Sequence, residues 1–108
     1  MFKVKNDNSI HITRGDTGIL NLSLKLNGEP YIMGEDDICV LTVKKSVDDA
    51  EAIFQKPLQD NKFTIEPADT NGLRYGIYKY DVQLTTGEGV VSTVVTPKDF
   101  VVEAEVSW

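Results

Sequence analysis

Leucine occupies every second position from Leu20 to Leu26, and Asn21, Ser23 and Lys25 fill the gaps. A helix would scatter these four side chains around its circumference, whereas a strand places them on one face. The run stops at Asn27-Gly28-Glu29-Pro30, which has the composition of a turn. The same period governs Tyr78, Tyr80, Val82 and Leu84, set against Lys79, Asp81 and Gln83 and closed by Thr85-Thr86-Gly87-Glu88-Gly89. A third alternating run is Phe100, Val102, Ala104 and Val106. A chain built on this period folds as sheet.

Shorter segments extend the pattern. Ile10 and Ile12 alternate with His11 and Thr13, and Phe2 to Lys5 reads as an edge strand guarded by Lys3 and Lys5. Cys39, Leu41 and Val43 face one way; Ile38 and Val40 on the opposite face predict a strand covered on both sides. Residues 52–55 and 62–65 flank Pro57 to Asn61 and predict a hairpin. Val90 to Thr96 is β-branched except for Ser92. Helix is confined to a single turn within Pro67 to Leu73, with Pro at its start and Gly72 near its end. The spacing of strands and turns predicts an all-β sandwich of about seven to nine antiparallel strands, with a small closed barrel as the alternative. No linker, repeat or low-complexity stretch divides the chain, so residues 1–108 read as one domain.

The charge balance narrows the partners. There are 11 Lys and Arg against 17 Asp and Glu, a net charge of −6. Phosphate backbones and anionic membrane surfaces both call for a basic face, so the composition argues against nucleic acid and against lipid headgroups. No apolar run approaches the roughly 20 residues of a membrane span, and the first residues lack the apolar core of a signal peptide. Cys39 stands alone, which excludes an internal disulfide and fits synthesis in a reducing compartment.

Candidate chemistry is sparse, and no cofactor is expected. His11, the single histidine, falls on the polar face of its strand, where an exposed structural histidine is the commoner case. Cys39 lies between Ile38 and Val40, an apolar setting that suits a small core residue better than a reactive thiol. Glu35-Asp36-Asp37 lacks the alternate spacing of calcium ligands and reads as a solvated loop. Arg14-Gly15-Asp16 matches a cell-adhesion tripeptide, yet Gly-Asp is ordinary turn chemistry. Asn21-Leu22-Ser23 matches a glycosylation acceptor, which is of no consequence to a chain that never enters the secretory route. A carbohydrate-binding or adhesin module would need exposed aromatics on one face, for which Tyr31, Tyr75 and Trp108 are the candidates. With these residues a non-enzymatic role is expected.

The segment from Asp69 to Asp81 is more informative. A polar corner containing Asp69 leads through Leu73 and Gly76 into a strand with tyrosines at alternate positions. It resembles the corner before the sixth strand of immunoglobulin-like sandwiches, where a tyrosine hydroxyl bonds back to the corner's backbone; Tyr78 is the candidate. The order of Ile12-Thr13-Arg14-Gly15-Asp16-Thr17, the leucine strand, Glu35 to Lys45, Gly76 to Val82 and the late strand from Thr96 resembles a family across nearly the whole chain. That family comprises the small immunoglobulin-like domains of phage and prophage tail proteins, such as the N-terminal domain of the upper baseplate protein of siphophages of Gram-positive bacteria. The resemblance implies a virion structural protein, made in the host cytoplasm and located in the tail, whose partners are other tail or baseplate proteins. Upper baseplate proteins continue into further domains, so receptor binding and trimerisation are not implied for this sequence.

Val90 to Thr96 carries no charge, although one face of a half-solvated strand should be polar. This predicts an interface, self-association included, through the sheet holding Val91 and Val95.

Overall fold

The computed structural model describes residues 1–26 and 28–104. Asn27, and Val106 and Trp108 of the expected C-terminal strand and aromatic set, lie outside the described residues. The protein is all-β. Ten strands are present among the described residues, with one short helix. In chain order they are β1 (Phe2–Val4), β2 (Ile10–Thr13), β3 (Gly18–Asn21), β4 (Lys25–Leu26), β5 (Glu29–Pro30), β6 (Ile38–Lys44), β7 (Phe54–Pro57), β8 (Lys62–Ile65), β9 (Gly76–Thr85) and β10 (Val91–Glu103). Helix α1 (Pro67–Asn71) lies between β8 and β9.

Six strands form a curled sheet in the order β1-β2-β10-β9-β6-β7. A separate pair, β3-β8, packs against its inner face, and β4-β5 is a two-residue hairpin beside them. The alternating residues explain the layering. Ile10, Ile12, Leu41, Val43, Tyr80, Val82, Leu84, Phe100 and Val102 of the large sheet are buried with Phe63 and Ile65 of β8 in one cluster. Phe100 sits at its centre, edge-on to Phe54 at 5.8 Å and to Tyr80 at 6.4 Å between ring centroids.

The expectation of wholly antiparallel pairing is corrected at one place. β2 and β10 run parallel, with Ile10 opposite Phe100 and Ile12 opposite Val102. The chain leaves β2 for the second sheet before it returns, so no tight turn forces the two strands to oppose each other.

Three local expectations also change. The leucine strand stops at Asn21, because its partner β8 begins at Lys62 and the ladder ends with Asn21 opposite Lys62. Leu22 then donates its N–H to the Asn61 carbonyl; Leu20 and Leu22 are partly buried against the core, and Leu24 is fully so. Residues 52–55 and 62–65 do not make a hairpin: β7 pairs with β6, and β8 with β3. Leu58 drops into the core between them, bonded to the Cys39 carbonyl, and Asp60 and Asn61 at φ 53° and 62° turn the chain into the other sheet. The two C-terminal runs form one long strand, β10. Pro97 lies in its irregular stretch between Val95 and Lys98, where no ladder bond needs its missing N–H.

Candidate docking surface

The outer face of the six-stranded sheet divides into two halves. Pairing places Ile38, Thr85 and Val91 in one row, and Pro57, Val40, Gln83 and Thr93 in the next. None of these residues carries a charge. Ile38, Val90 and Val91 are 57%, 56% and 58% exposed, so among the described residues nothing covers the outer face of β6 at Ile38, where the sequence predicts covering on both sides. Along the same strands the next rows are polar and charged. Thr42 and Asp81 come first, then Lys44, Lys79 and Asp99, with Lys79 ion-paired to Asp99.

A groove of about 390 Å³ opens on this charged half. The loop after β6 forms one wall through Val47, Ala50 and Ala52, and Gln55 donates to Thr42 across its floor at 3.0 Å. It offers hydrogen-bonding and charged groups but no exposed ring.

Val91 and Val95 do not share a face, contrary to the sequence-based expectation. Val91 opposes Thr85 and points outward. A bulge between Thr93 and Val95 sets two residues of β10 against one of β9, so Val95 opposes Val82 and packs against the core. A second irregularity before Lys98 returns Asp99 and Val101 to the outer face. The neighbours that make Val91 part of a patch, Ile38 and Val40, come from β6. The apolar outer positions of that strand were the sequence signal for this part of the patch.

The corner residues each have a defined place. Asp69 closes the start of α1 by accepting from the Glu66 N–H at 2.7 Å. Its carboxylate also meets Lys56 Nζ at 2.7 Å, with the two side chains only 15% and 18% exposed. Leu73 donates its N–H to Thr70 and packs partly against the core. Gly76 begins β9 at φ 149°, a conformation rare for any other residue. Tyr78 is buried, and its hydroxyl donates to the Arg74 carbonyl at 2.8 Å.

The Arg-Gly-Asp tripeptide is tied into this corner. The Arg14 guanidinium lies 4.5 Å over the Tyr75 ring and reaches the Leu73 carbonyl, Gly15 donates to Thr70 Oγ1 at 2.9 Å, and Asp16 meets the amino group of Met1. Tyr75 precedes β9. Tyr31 bonds to Asp37, which holds the Gly87 N–H beyond the other end of β9. These tyrosines therefore lie at opposite ends of the strand and form no common platform.

Asp37 is the organiser of the acidic loop. Its carboxylate accepts the Tyr31 hydroxyl and the N–H groups of Gly34 and Gly87, both at 2.9 Å. These bonds, the tyrosine's first, hold its pKa below the usual carboxylate range, and the same contact raises that of Tyr31. Among the described residues, no three carboxylate, histidine or cysteine side chains are grouped as metal ligands. His11 Nδ1 lies 3.5 Å from Glu103 on the outer face. Cys39 faces the core, and burial pushes its thiol up to about 11. No helix of the described residues is long and apolar enough to cross a membrane.

No protein family, no curated protein and no solved structure matches this chain.

Proposed function

We propose that this protein is a non-enzymatic assembly module of immunoglobulin-like fold that acts through protein contacts in a phage or prophage tail. The observation that carries the docking role is the uncharged patch of Ile38, Val40, Thr85 and Val91 at one end of the outer face of the six-stranded sheet. An exposed, contiguous uncharged β face with apolar side chains at Ile38 and Val91, on a small acidic domain, is a surface that a protein partner can bury. Three features support the immunoglobulin-like reading. The β3-β8 pair lies over a large sheet, β10 is flanked by β9 and by a parallel β2, and Tyr78 bonds back to its corner. The tail assignment rests on the order of sequence segments that resembles tail-protein domains. No nucleic acid, membrane or cofactor has a part in this role.

The test is electron microscopy of particles released from an induced culture of the source bacterium, labelled with a gold-conjugated antibody to this chain. Label concentrated on tails is expected, and lost when Val91→Lys replaces the wild type. Intact tails without label would overturn the assignment.

A further inference from the structure

We infer that copies of this chain join head to tail, the acidic loop of residues 31–37 of one copy seating in a basic, apolar hollow at the Gly76 end of β9 of the next. The uncharged patch takes no part in this contact, so the inference goes beyond the docking surface above.

The hollow, of about 410 Å³, is lined by Ile53, Leu73, Tyr75 and Ile77, with Lys45 and Arg74 among its walls. Tyr75 and Ile77 are 47% and 62% exposed. Among the described residues neither Lys45 nor Arg74 has an ion-pair partner, in a sequence where acids outnumber bases 17 to 11. The acids of the loop between Lys45 and Ile53, namely Asp48, Asp49 and Glu51, do not line the hollow. Two unneutralised cations beside apolar side chains fit an occupant that has an apolar side chain with carboxylates next to it.

The chain carries that combination at the other end of β9. Ile32 is 90% exposed, more than any other large apolar side chain of the described residues. Glu35 and Asp36 follow it, exposed and without ion-pair partners among the described residues. Residues 30–40 include three acids and no base. The loop is braced before anything binds. Asp37 holds the Tyr31 hydroxyl and the N–H groups of Gly34 and Gly87, and a Cβ at Gly87 would lie 2.8 Å from that of Asp36. Little ordering is then needed to present Ile32 and its acids to a partner.

β9 has 10 residues, so at roughly 3.3 Å per residue the loop and the hollow stand about 30 Å apart. One contact leaves a hollow open on one copy and a loop free on the other. Such a heterologous contact repeats into a ring or a filament. Each junction sets acids against bases, which offsets the repulsion between chains of net charge −6.

The experiment uses the full 108-residue chain. Sedimentation velocity, with light scattering after size exclusion, measures its mass over a wide concentration range. Wild type is expected to grow beyond a dimer, and high salt to reverse the growth. Ile32→Lys removes the apolar knob and sets a cation against the cations of the hollow. Ile77→Glu spoils the hollow and leaves the loop intact. Each variant alone should lose at least about tenfold in self-affinity and stay monomeric where wild type assembles. Mixed in equal amounts, the two should form a dimer of one of each and nothing larger, because the first keeps a sound hollow and the second a sound loop. Matching melting temperatures establish that both fold. A wild type that is monomeric at every concentration, or that stops at a dimer, overturns the inference. So does association of either variant alone, and so does a mixture that stays monomeric. Val91→Lys should assemble as wild type does; if it does not, the copies meet through the uncharged patch and the head-to-tail contact falls.

Discussion

Tyr78 donates its phenolic hydrogen to the carbonyl of Arg74, four residues earlier, at 2.8 Å, while its ring lies in the core. One side chain thus fixes the corner between α1 and β9 to the face it caps. Tyr78→Phe keeps the ring and deletes the bond, so it should cost about 1 kcal/mol in urea unfolding. Phe100→Ala, which removes the ring at the centre of the core, should cost roughly 3–5 kcal/mol by the same measurement. Equal losses in both variants would mean that the corner bond, not the core, governs the fold.

Asp37 ties the acidic loop to the hairpin tip, and its effect depends on pH. A carboxylate whose folded pKa lies below its unfolded value, near 3.9, stabilises the fold above that value and loses the effect as pH falls through the folded one. Asp7, held low by the hydroxyl and N–H of Ser9, acts with the same sign. Asp37→Asn should therefore be less stable than wild type at pH 7, with the gap closing in strong acid. Tyr31 has the opposite sense: its raised pKa favours the neutral phenol, an effect lost as pH rises past the ordinary tyrosine value of about 10. Denaturant titrations at acid, neutral and alkaline pH check each arm.

Cys39 is 1% exposed, with its thiol pushed up to about 11 by burial alone. A disulfide reagent should label the native protein far more slowly than the unfolded chain at pH 8, since attack needs an exposed thiolate. Labelling should accelerate with denaturant along the unfolding transition. Rapid native labelling would place Cys39 at the surface.

Gly18 opens β3, and a Cβ there would overlap the ring of Phe2 in β1. Gly18→Ala should cost roughly 1–3 kcal/mol through this crowding. In a Phe2→Ala background the added cost should shrink toward zero. A double-mutant cycle with no coupling between the two positions would show that β1 does not lie against β3.

The strand-forming faces were legible because period-two burial is a local property. Ile10, Ile12, Leu41, Val43, Phe63, Tyr80 and Phe100 all alternate in sequence, and all are buried. Sheet membership was not legible, because a strand's pattern names the face it buries and not the strand beside it. That is why residues 52–55 and 62–65 looked like a hairpin while belonging to different sheets. The bulge before Val95 was equally hidden: one extra residue reverses the side chains that follow until the second irregularity before Lys98 restores them, and nothing in a run of β-branched residues marks where it falls. The patch was half visible, through Val91 and through the apolar outer positions of β6. Bringing those together required knowing that β9 lies between them.

The parallel pairing of β2 with β10 also determines how the domain answers tension. Pulled from residues before β2 and after β10, β1 peels away first, as a three-residue edge strand can separate bond by bond. The force then enters β2 at Ile10 and leaves β10 at Glu103, at opposite ends of the shared ladder. Loaded lengthwise, the bonds joining Ile10–Thr13 to Phe100–Glu103 must break together. The pair behaves as a lap joint, stiff against stretching and weak only against a sideways tear.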